Sequence, residues 1–109
     1  MDGCYLLHFE RPIYGAQHYL GWSADIRRRV RLHLSGRGAR LVRQALQAGI
    51  GVELVRVWPT FVRQQEYVLK RQTPKRYCPR CHRITSTQGE DSLRRVQAAL
   101  LARSSRIGG

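Results

Sequence analysis

The pattern of apolar residues predicts a small, mainly antiparallel sandwich of α and β elements, and three observations lead to it. The order of apolar segments reads strand, strand, helix, helix, strand, helix, without the steady strand–helix alternation of a doubly wound sheet. The chain has 109 residues, which suits one domain. At 42% hydrophobic it can form a real core and is no disordered polycation.

Each element has its own reason. Cys4–Phe9 is a short apolar run bounded by Asp2-Gly3 and Arg11-Pro12, and reads as a strand. Gln17–Trp22 reads as a second strand, joined to the first by a turn around Pro12 and Gly15. Ser23-Ala24-Asp25 offers capping side chains, so a helix is expected from about Ala24 to Leu34, stopped by Ser35-Gly36. Gly38–Ala48 gives a second helix with Leu41, Val42, Ala45 and Leu46 on one face and Gly49 as its stop. Val52–Trp58 is nearly continuous and rich in valine, the mark of a strand covered on both faces, and Pro59 ends it. Thr60 is expected to cap a third helix, Phe61 to about Arg71. Beyond Pro74 come a basic stretch with Cys78-Pro79-Arg80-Cys81, a linker at Thr85–Gly89 and a last helix with Leu93, Val96 and Leu100 on one face. Ser104–Gly109 reads as a frayed tail. The expected division is a main domain over 1–84 and a linker, C-terminal helix and tail over 85–109.

Charge names a class of partner. Lys and Arg number 20 against 7 Asp and Glu, a net +13, and only Lys70 and Lys75 are lysines. Such an excess suits polyphosphate, whose counterions are released when Arg and Lys contact it. No apolar run approaches the roughly 20 residues that span a bilayer. Met1–Glu10 does not read as a secretory leader: it starts acidic, and His8 breaks its apolar stretch. With three cysteines, a reducing cytoplasmic setting is the expectation.

Two helices carry charge where apolar residues are expected. In the first, Ile26 and Val30 start a stripe whose face continues through Arg29 and His33. In the third, Glu66 follows Val62 by four and precedes Leu69 by three, in a stripe that Phe61 and Val68 extend. Glu66 can form a buried ion pair with Arg29 or His33, or serve as an oxygen ligand for a hard divalent cation. Tyr5 and Tyr19 lie on the first two strands, where tyrosines commonly serve as core. Together these phenols, cation, imidazole and carboxylate suit phosphodiester hydrolysis, which needs charge neutralised on the phosphate and an oriented water.

Gly3-Cys4-Tyr5 and Tyr19-Leu20-Gly21, followed by Ser23, Asp25, Arg29 and His33, resemble the signature of the GIY-YIG nuclease superfamily. Glu66-Tyr67 with Leu69-Lys70-Arg71 resembles that family's helix with its metal-binding glutamate. The resemblance spans about Gly3 to Arg83. It implies an α+β fold, a three-stranded antiparallel sheet flanked by helices, and DNA cleavage dependent on Mg²⁺ or Mn²⁺. By position it assigns Tyr5 and Tyr19 to orienting or deprotonating the attacking water, Arg29 to stabilising the phosphorane, His33 to the same helix, and Glu66 to the metal. Gly21 would be the close-packing glycine. Ile13-Tyr14-Gly15 mimics the motif but reads as turn. An asparagine often follows the metal helix in that family, and this chain contains none. The alternative is therefore a non-catalytic or weakly catalytic nucleic-acid-binding module.

Two segments remain. Cys78, Cys81 and His82 supply up to three zinc ligands, with Cys4 or His8 as completers; a reduced surface thiol pair is the plainer reading. The C-x-x-C-H letters also match haem attachment, which needs export and a second axial ligand. Ser35–Arg40 combines glycines, Arg37, Arg40 and a helix N-terminus, which suits a DNA phosphate or an ordinary helix–helix turn. Lys70 and Arg71 join Arg37 and Arg40 as candidate DNA contacts. Trp22 and Trp58 could stack on bases or simply fill the core.

Overall fold

The structure, a computed structural model, describes residues 1–72, 74–82 and 89–108, with side chains to residue 101. The expected linker at 85–88 lies outside the described residues. The fold is α+β, with strands β1 (Gly3–Ile13), β2 (Ala16–Ser23) and β3 (Val52–Pro59) in the order β2-β1-β3, every pair antiparallel. Around the sheet lie helices α1 (Ile26–Leu34), α2 (Arg40–Gln47), α3 (Arg63–Arg71) and α4 (Glu90–Gly108), and a 3-10 turn at Pro74–Tyr77. Among the described residues no helix is long and apolar enough to cross a membrane.

The first hairpin turns later than expected. Tyr14 and Gly15 both have positive φ, at 50° and 77°, the conformation of a tight two-residue hairpin turn. Pro12 thus falls inside β1, beyond the residues paired to β3, where its missing N–H costs no ladder bond. The Ile13-Tyr14-Gly15 letters are turn, with Tyr14 82% exposed.

Alternation in β1 builds two cores. Tyr5, Leu7 and Phe9 face one way, against Ile26 and Val30 of α1, Val42 and Ala45 of α2, and Val96 of α4. Cys4 and Leu6 face the other way, with Leu20, Val55, Trp58, Leu69 and Cys78. β3 serves both because an irregularity in its pairing between Leu6 and Leu7 leaves Val55 unpaired, so neighbouring valines reach opposite cores. Covering on both faces is therefore as expected for this run.

The last helix belongs to the first core. Val96 is fully buried, a side chain whose burial contributes about 1.5–3 kcal/mol, and Gln97 Nε2 donates to the Leu54 carbonyl at 3.1 Å. Gly89 leads into α4 with φ of 80°, and a Cβ there would strike the Val57 carbonyl. The helix continues to Gly108, past the Ser104 expected to begin a frayed tail.

α3 starts later than expected. Thr60 takes φ of 64°, and Val62 is the N-cap, its N–H donating to Gln65 Oε1 at 2.7 Å. Of the stripe expected on this helix, Leu69 is buried and Phe61 half-buried just outside it, whereas Val62 and Val68 are exposed.

Candidate active site and metal cluster

Tyr5, in the central strand, pairs across the ladder with Gly21 of β2. A Cβ on Gly21 would lie 2.5 Å from the Tyr5 hydroxyl and 3.1 Å from the Tyr19 ring, so the bare glycine is what admits the phenol. The Tyr5 hydroxyl meets His33 Nε2 of α1 at 2.7 Å, and both side chains are buried. Tyr19 stands edge-on to His33 with ring centroids 5.0 Å apart, and 6.3 Å from Tyr5.

The hydrogens in this cluster can be assigned from its partners. His33 Nδ1 accepts the Ala39 N–H at 3.1 Å, so a neutral ring carries its hydrogen on Nε2. Burial, and secondarily the Arg29 charge, lower His33 to about 4, so the ring is neutral at pH 7. Nε2–H therefore donates to Tyr5, and Tyr5 must turn its own hydrogen elsewhere, toward Tyr19. Burial is the main cause that raises the Tyr5 phenol, helped by Tyr19 and Glu66 and opposed by Arg29. Gly38 makes the same bond possible from the other side, since a Cβ there would strike the His33 ring.

Arg29 and Glu66 stand at the margin of this cluster. His33 completes the buried stripe with Ile26 and Val30, but Arg29 is exposed, contrary to the face expected for it. It sits about 60° from Ile26 around the helix, at the edge of the stripe. There it lines a cleft of about 380 Å³ with Arg28, Arg63 and Trp22, and Arg63 stacks on the Trp22 ring at 5.0 Å. Glu66 is half-buried and pairs with Lys70 at 2.9 Å, one turn on, not with Arg29 or His33. Its charge still acts on Tyr5 and on Cys4, whose thiol is raised to about 11, chiefly by burial.

On the opposite face lies a second polar group. β1–β2 register sets His8 beside His18, and the segment after the 3-10 turn delivers Cys78 and Cys81 over them. His8 Nδ1 is 3.3 Å from His18 Nε2, 3.4 Å from Cys78 Sγ and 3.8 Å from Cys81 Sγ; Cys81 Sγ is 3.4 Å from His18 Nε2. All four donor atoms lie within 4.8 Å of one another and could hold a metal ion. Burial raises the Cys78 thiol and lowers His18, the latter helped by His8 and Lys75.

His8, expected as a possible completer, is a member. His82 is not: it is exposed and outside the group, and His18 stands where the sequence reading put it. Cys4 shares the face but pairs with Trp22, four residues along β1. His18 was missed for a definite reason. A regular hairpin continuing from the Ile13↔Ala16 pair would set His8 opposite Gly21; the irregularity between His8 and Ile13 sets it opposite His18 instead. The Gln17 amide crosses that irregularity to donate to the Phe9 carbonyl at 3.2 Å.

The candidate DNA contacts are all exposed: Arg37 and Arg40 beside the α1–α2 turn, Lys70 and Arg71 at the end of α3. Trp58 is buried core, T-shaped against Tyr77 at 5.6 Å, and is not free to stack on a base. Trp22 is half-buried, its Nε1–H donating to the Phe61 carbonyl at 2.7 Å. No family model, curated protein or solved structure matches this chain.

Proposed function

We propose that this chain is a metal-dependent endonuclease of the GIY-YIG type, cutting DNA phosphodiesters by attack of water. The observation that carries the reading is the buried Tyr5–His33 hydrogen bond, beside an arginine whose charge reaches both residues and which also lines an open cleft. A core needs no such polar pair; phenylalanine and leucine would fill the space without hydrogen bonds to satisfy.

Each group has a role consistent with its chemistry. Arg29, flanked by Arg28 and Arg63, meets the scissile phosphate and offsets the negative charge that builds as water adds. His33 donates from Nε2 to the Tyr5 oxygen and fixes that ring beside Tyr19, with Tyr5 kept as the neutral phenol by its burial. The paired phenols would orient the attacking water through the half-buried Tyr19, and the water's proton would leave to bulk solvent. Glu66 would hold Mg²⁺ or Mn²⁺, which supplies Lewis-acid charge at the phosphate. One half-buried carboxylate fits such an ion, because magnesium keeps several waters and takes few protein ligands. A net charge of +13 supports DNA as the partner. A reducing cytoplasmic setting goes with three free thiols.

The test is cleavage of plasmid or branched DNA by the purified chain with Mg²⁺. Glu66→Ala should bind with near wild-type affinity and lose cutting by a factor of about 100 or more. Wild-type protein that binds DNA yet cuts none in Mg²⁺ or Mn²⁺ would leave a nucleic-acid-binding module instead.

A further inference from the structure

We propose that His8 Nδ1, His18 Nε2, Cys78 Sγ and Cys81 Sγ bind one zinc ion as a closed, tetrahedral structural site. Distances carry most of the inference. With Zn–N of about 2.0–2.1 Å and Zn–S of about 2.3 Å, tetrahedral edges are about 3.3–3.4 Å between nitrogens and about 3.5–3.6 Å between nitrogen and sulfur. The histidine nitrogens stand 3.3 Å apart, and three nitrogen–sulfur edges are 3.4, 3.4 and 3.8 Å.

A purely hydrogen-bonded arrangement needs one imidazole to donate to the other, and which ring does so depends on its tautomer. If instead each thiol donates to one imidazole, the two ring nitrogens face each other at 3.3 Å, lone pair to lone pair. A cation at the centre takes one pair from every donor. Two thiolates and two neutral imidazoles suit zinc, whereas Mg²⁺ and Ca²⁺ prefer oxygen. Four protein ligands leave no open position, which makes the site structural.

The surroundings hold the loop as a zinc knuckle requires. The Cys78 carbonyl accepts from the Cys81 and His82 N–H groups at 3.1 and 2.9 Å, folding the loop back over both cysteines. Arg80, between the cysteines, forms a two-pronged bond to Glu53 of β3, at 3.0 and 2.6 Å. Tyr77, just before them, packs on Trp58 and under the Arg56 guanidinium. The ion would therefore bind the segment Pro74–His82 to β1 and β2 at once. His8 lies three residues from Tyr5, about 10 Å along the strand and on the other face. The inference stands whether or not the chain cuts DNA.

Elemental analysis of the full chain, purified from zinc-supplemented culture, should find about one zinc per molecule. Loading with Co²⁺ should give the visible bands and thiolate charge-transfer absorption of a tetrahedral N2S2 site. Cys78→Ser and His18→Ala should lose most of the metal, while His82→Ala and Cys4→Ala keep it. Absence of zinc together with no cobalt spectrum overturns the proposal, as does bound iron in its place. Zinc kept by His18→Ala but lost by His82→Ala overturns the ligand set. The cobalt spectrum of the wild type decides the matter even where a ligand variant does not fold.

Discussion

The two faces of the sheet both cluster polar rings, buried on one face and half-buried on the other, and they arrange them in different ways. On the α1 face the hydrogens form an ordered chain, from Ala39 N–H to His33, from His33 to Tyr5, and from Tyr5 toward Tyr19. The Ala39 and His33 N–H groups there each have an acceptor within the polypeptide. On the α3 face, four potential ligand atoms lie within 4.8 Å of one another, the two imidazole nitrogens 3.3 Å apart. The first arrangement is held by hydrogen bonds within the polypeptide. The second has the spacing to take a metal ion. Similar residue types on strands of one sheet thus divide into a hydrogen-bonded pair and a group spaced to hold a metal ion.

The largest effect expected from this contrast is in acid. His33 is held neutral, at about 4 against 6.5 when unfolded. As pH falls from about 6.5 to about 4, the unfolded chain takes up a proton that the folded chain resists, and stability is lost across that window. The shift corresponds to about 3 kcal/mol. Urea unfolding at a series of pH values should show this loss. His33→Gln, uncharged throughout, should lack that component. An identical pH slope in the variant would mean that His33 is not held neutral by the fold.

A smaller effect is expected from Tyr5→Phe, which keeps the packing and deletes only the hydroxyl. His33 Nε2–H then has no acceptor in the core, a cost of about 1–3 kcal/mol. Chemical denaturation should register that loss, and zinc content should stay unchanged because the hydrogen-bonded pair and the ligand set lie on opposite faces. A parallel loss of metal would show the two faces to be coupled.

Much of the tyrosine–histidine cluster was legible in the sequence. Reading β1 and β2 as adjacent strands put Tyr5 and Tyr19 side by side, and helical periodicity carried His33 into the core. Periodicity misjudged Arg29, since a residue at the edge of a stripe can follow its long side chain to solvent. The expected apolar side of α3 failed at Val62 because the helix begins at Arg63, after a positive-φ Thr60 that no residue pattern marked. The ligand set was legible only in its cysteines, which lie close in sequence. Its histidines come together through an irregular hairpin register, a property of strand pairing that spacing along the chain does not express.

The smallest effect tests how the knuckle is held. Arg80 and Glu53 are both largely exposed, with side chains 60% and 44% accessible, so their ion pair contributes little despite its two-pronged geometry. Glu53→Gln should therefore shift the unfolding midpoint only slightly, by an amount that shrinks further in high salt. If zinc holds the loop, the variant keeps a full metal equivalent, because four coordinate bonds outweigh one screened pair. A Glu53→Gln protein that loses its metal would reverse that ranking. The loop would then be positioned first by the charge pair on β3, with the ion bound only to a site already assembled.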